Sequence, residues 1–182
     1  MTAIDPHLDE VRDAIATASW FAAVGEPWTA ADRSDAESYI LALRLGALHV
    51  AVARDWHDAA RITQDTGWST AWWDAEERQR HALMADAERR FDRHAVMTAL
   101  STVMATAGEL VHGRAALAAT RAGIADPALT RVAAGAATMA CHQVALAMIA
   151  QAPQTHPFHV KFRLFASGRW PLCVVGDSLY VL

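Results

Sequence analysis

Glu76 and Arg80 lie four residues apart in TAWWDAEERQRHALMADAERRF, and helical spacing puts both on the face that should be buried. That face is defined by Trp73, Met84, Ala87 and Phe91, flanked by Trp72 and Leu83. With the acid nearer the N-terminus, the i, i+4 order favours an ion pair. A carboxylate and a guanidinium beside two tryptophans can also line an aromatic pocket. There Arg80 would hold an anionic group and Glu76 would act as acid or base. Glu37, on the edge of the next apolar stripe with Arg44 seven residues on, is a third candidate of the same kind. Gln143 falls in the seam of a late helix between Met139 and Leu146, where a buried amide must find partners. The candidate catalytic residues are therefore Glu76, Arg80 and Glu37. The candidate ligand-binding set is Trp72, Trp73, Glu76, Arg80 and Gln143.

GELVH places Glu109 and His112 in an ExxH spacing, which brings a carboxylate and an imidazole together on one helix face. Di-metal carboxylate bundles use two such motifs and two further glutamates. This chain has one ExxH, so Glu109 and His112 are only a weak metal candidate, and their face carries His94, Ser101 and Ala105. No cofactor is expected. A Gly-rich phosphate loop, a nucleophile elbow, HExxH and CxxC are all missing from the sequence.

These residues need helices to position them. Asp5-Pro6 reads as an N-cap and first-turn proline for a helix to Ala23. Thr29 opens a helix extended to Arg54, with a stripe of Leu41, Leu45, Leu48 and Val52. A short segment from Trp56 stops at Gly67, and Ser69 caps the Trp72 helix. Asp92 begins a long helix closed by Gly123, and Asp126-Pro127 begins the last, to Ala152. In the tail, Phe158, Val160, Phe162 and Leu164 alternate with His159, Lys161 and Arg163, the period of a strand. Residues 170–175 and 178–182, separated by Gly176-Asp177, complete a meander. The expectation is a single α+β domain over residues 1–182, predominantly α. About five helices form a bundle over 1–152, and a three-stranded antiparallel β-meander over 158–182 packs on it.

With 182 residues, 53% hydrophobic, the chain can bury a sizeable core. A net charge of -4 argues against a nucleic-acid surface. Cys141 and Cys173 suggest reduced thiols in a cytoplasm, and every apolar run reads as interrupted before membrane length. Lys161 is the sole lysine, which GC-rich bacterial codon usage explains; seven tryptophans suit a large core, a pocket or an interface. The leading functional expectation is a cytoplasmic bacterial protein that works through protein–protein contact, self-associating and non-catalytic. The partners expected are a second copy or another protein, with no nucleic acid and no membrane. The alternatives are a small-molecule site or enzyme at Trp72, Trp73, Glu76 and Arg80, and a His/carboxylate metal bundle.

Overall fold

A computed structural model describes residues 5–182, with side chains from Leu8 onward. The order is α1 (Asp5–Thr17), α2 (Ala30–Leu43), β1 (His49–Val52), α3 (Trp56–Thr63), α4 (Thr70–Arg90), α5 (Arg93–Arg121), α6 (Pro127–Ile149), α7 (Pro157–Ala166), β2 (Pro171–Val175) and β3 (Ser178–Val181). Among the described residues the protein is broadly α+β and 66% helical, with seven helices where about five were expected, and its small sheet is mixed.

Local chemistry explains most helix starts. Thr29 and Asp32 form a reciprocal capping box, Asp92 accepts from the His94 and Ala95 N–H groups, and Asp126 caps α6 ahead of Pro127. Ser69 stands before α4 without a side-chain cap bond; its N–H donates instead to the Val174 carbonyl, 2.9 Å away. The cap expected at Asp5 lies outside the described side chains.

Three boundaries differ from the sequence reading, each for a physical reason. The first helix stops at Thr17 and not at Ala23. Residues 18–25 turn, with Phe21 at φ 58°, so that the adjacent Trp20 and Phe21 both enter the core. The second helix stops at Leu43 and not at Arg54. Arg44 adopts the left-handed conformation, and its N–H and that of Leu45 bond back to the last turn. Leu41, expected in a buried stripe, is consequently 79% exposed, while Leu43 is buried. The chain beyond the turn becomes β1.

The third difference is the tail. Residues 157–166 are helix α7, capped by His156 and begun by Pro157, and not the first strand of a meander. Its alternation is not an inside–outside pattern, because His159 and Lys161 are buried along with Phe158, Val160, Phe162 and Leu164. The missing strand comes from β1, far earlier in the chain. The sheet order is β1-β3-β2. β1 runs parallel to β3, pairing His49 with Ser178 and Val52 with Val181, and β2 and β3 form an antiparallel hairpin. The sheet is therefore mixed and not antiparallel.

α5 and α6 form the longest helix pair, with small residues at the contact: Ala107, Ala115, Ala119, Ala133, Ala137 and Ala140 are all buried. By length and composition α6 could cross a membrane, where no such helix was expected, and 61% of its apolar window is buried inside the protein. Beside the pair, Trp20, Phe21, Trp56, Phe165 and Trp170 form an aromatic cluster with neighbouring ring centroids 5.6 to 6.0 Å apart. A second core beneath the sheet joins Tyr39, Ile40, Leu43, Leu164, Leu179 and Val181. Cys141 and Cys173 are free and buried, and burial pushes both thiols up to about 12.

Gly168 ends α7 at φ +93°, with the Arg169 N–H returning to the Leu164 carbonyl. A Cβ there would sit 2.6 Å from the Ala23 nitrogen and 2.9 Å from the Ala23 Cβ. The turn after α1 is thus pressed against the end of α7. Gly168→Ala should cost about 3 kcal/mol or more, from left-handed strain plus the clash. Urea unfolding measures it, and a stability equal to the parent's would contradict this packing.

Candidate functional site

Four helices converge on one carboxylate. Glu76 of α4 is 8% exposed and takes hydrogen bonds from three other helices. The Lys161 ammonium of α7 donates to Oε1 at 2.6 Å, the Gln143 Nε2 of α6 donates to Oε2 at 3.0 Å, and the Tyr39 hydroxyl of α2 donates to Oε1. Trp72, one turn before Glu76, donates its indole N–H to the Tyr39 oxygen at 2.8 Å, and its ring lies 5.5 Å from the Lys161 nitrogen. Lys161 is itself only 5% exposed.

The electrostatics follow from that geometry. Burial alone would push the Glu76 carboxyl up. The Lys161 charge, with hydrogen bonds from Lys161, Tyr39 and Gln143, outweighs burial and holds it below the ordinary value. Burial, and then the Glu76 charge, raise the Tyr39 hydroxyl well above its usual range. Near neutral pH the cluster therefore holds an ionised carboxylate and a neutral phenol. Three of the roughly four acceptor positions on Glu76 are occupied by the protein's own donors. This arrangement ties α2, α4, α6 and α7 together. One polar atom in it, Gln143 Oε1, is buried without a partner.

A second buried pair anchors the N-terminal turn. Arg169 is 3% exposed and reaches Asp32 through Nε at 3.2 Å and Nη2 at 3.1 Å. The same guanidinium donates to the carbonyls of Ala23, Glu26 and Pro27 and lies 5.5 Å from the Trp28 ring centroid. A planar fork with five N–H donors suits this set of acceptors.

The structure brings Glu76, Gln143 and Trp72 together and places the other sequence candidates elsewhere. Arg80 does not pair with Glu76; its Nε bonds both oxygens of Glu77, at 2.8 and 3.0 Å. Trp73 is 65% exposed. Glu37 and Arg44 are on the surface. Glu109 and His112 lie exposed on the outer side of α5, and among the described residues no three His, Cys, Asp or Glu side chains are grouped to hold a metal ion. His156, just before Pro157, caps α7 through Nδ1.

Sequence reasoning missed Tyr39, Lys161, Arg169 and Asp32. The sole lysine in an arginine-rich chain was the available signal for Lys161. Asp32, three residues after Thr29, had the spacing of a capping box.

A shallow open depression runs along α5 past Met97, Thr98, Ser101 and Ala105, and others lie between α1 and α5 and where α5 meets α6. Comparisons with protein-family models, curated proteins and solved structures return no match.

Proposed function

We propose that this chain works through protein–protein contact, by self-association on the outer face of α5, and carries out no reaction of its own. One observation carries the reading. Residues 95–108 contain no charged or histidine side chain, yet Met97, Thr98, Ser101, Ala105 and Thr106 of that stretch are exposed. A surface helix ordinarily turns a charged face to water, and a helix without one is covered. Met97, a flexible and adaptable contact residue, is 47% exposed at the N-terminal end of this face. The burial of Glu76, and the three hydrogen bonds it takes from the protein's own donors, support the non-catalytic part. A reducing bacterial cytoplasm suits two free, buried thiols.

A single helix-to-helix contact is at the small end of interface sizes, below about 1,200 Å², so the dimer should be reversible. Sedimentation velocity over a range of concentrations should show a monomer–dimer equilibrium. Ser101→Arg should shift it to monomer with unchanged circular dichroism and melting temperature. A parent protein that stays monomeric at every concentration would sink the reading.

A further inference from the structure

The outer face of α5 has more structure than an uncharged patch. His94, Thr98, Ser101, Ala105, Glu109 and His112 follow one another at steps of 4, 3, 4, 4 and 3, which keeps them on one side of the helix. All six are exposed. The middle of the row is made of small residues, with half-buried Gly108 beside it, and small side chains let two helix axes come close. The titratable groups sit only at its ends.

Resting on the self-association reading, we infer that two copies pair antiparallel along α5, with the two-fold axis between Ser101 and Thr102. His94 and Glu109 share that midpoint, as do Thr98 and Ala105. In the antiparallel pair, therefore, His94 of each copy faces Glu109 of the other, Thr98 faces Ala105, and Ser101 faces Thr102. An imidazole meets a carboxylate at both ends, and uncharged small residues meet in between. A parallel pair would set Glu109 against Glu109 and His94 against His94. Like groups opposed across an interface disfavour that arrangement. The antiparallel contact is also isologous, so it closes on itself as a dimer and leaves no open end for a filament.

Cysteine cross-linking separates the geometries. Wild-type protein should give no cross-link under mild oxidation, because Cys141 and Cys173 are buried. Ser101→Cys sits next to the axis and should form a disulfide-linked dimer readily. Thr98→Cys should not link to itself, since the two copies of residue 98 are seven residues apart along the helices, about 10 Å, beyond disulfide reach. A mixture of Thr98→Cys and Ala105→Cys proteins should link to each other. If Thr98→Cys alone links as well as Ser101→Cys, the pairing is parallel and the inference is overturned. If sedimentation shows a dimer and none of these variants links, the contact lies on another surface and the inference again fails, while self-association stands. A monomer in sedimentation removes both.

Discussion

Lys161→Met should destabilise the protein by about 3–5 kcal/mol, the range seen when one partner of a buried ion pair is removed. The loss comes from the carboxylate left behind, not from the value of the attraction alone. Glu76 would remain at the junction of four helices with only the Tyr39 hydroxyl, the Gln143 amide and no counter-charge. Removing the charge as well should recover much of the loss. In the double variant Glu76→Gln with Lys161→Met, the new amide oxygen still accepts from Tyr39 at the Oε1 position, and its NH2 at the Oε2 position donates to the Gln143 oxygen once that amide is turned over. Urea unfolding of the two variants measures the difference. A single variant within about 1 kcal/mol of the parent would mean that the pair is solvated and the four-helix junction is not as described.

The pH dependence gives the same pair a second readout. In the parent, the folded-state Glu76 carboxyl is held below its ordinary value, so its stabilising contribution is complete above the unfolded pKa. That contribution is lost as pH falls through the folded value. In Lys161→Met the largest lowering influence is gone and burial, which raises the carboxyl, prevails. At Glu76 the folded state then binds the proton more tightly than the unfolded state, so the contribution of that one group improves as pH falls. The gap between parent and variant should accordingly narrow in acid.

Arg169→Met should have an effect of similar size, about 3–5 kcal/mol, for a different mix of reasons. Asp32 would lose its counter-charge, and the carbonyls of Ala23, Glu26 and Pro27 would lose a donor at once. Arg169→Lys should recover little, because one ammonium cannot reproduce a planar fork over separated acceptors. Thermal melting of both variants checks this. A lysine variant with the parent's melting temperature would show that charge alone holds the turn.

Features set by neighbouring residues were readable from the sequence. Thr29, Asp92 and Asp126-Pro127 mark helix starts, and Gly176-Asp177 marks the hairpin, because each works within a few positions. What depended on distant partners was hidden. His159 and Lys161 looked like the outward positions of a strand, since polar side chains at every second place imitate a half-exposed sheet. Only Glu76, on another helix, makes a buried lysine acceptable. The break after Leu43 was hidden because an arginine occupies a left-handed position usually marked by glycine. Glu76 itself was legible as an acid on an apolar face, and Gln143 as an amide in a seam. The sequence suggested Arg80 as the partner because i, i+4 is the nearest helical neighbour, whereas the fold supplies Lys161.

The parallel pairing of β1 with β3 also sets an order of events in folding. α5 and α6 are joined by a short loop, so their hairpin can form early from local contacts. Strand β1 has no sheet neighbour until residues 178–181 arrive, because β3 lies between it and β2. In the same way, Glu76 lacks Lys161 until α7 packs, and the Ala23–Pro27 carbonyls lack Arg169 until the turn after α7 does. The last steps are therefore the ones that enclose charge. A partly folded chain keeps Glu76 and Asp32 hydrated, so the cost of burying each carboxylate arises only when the cation that offsets it arrives.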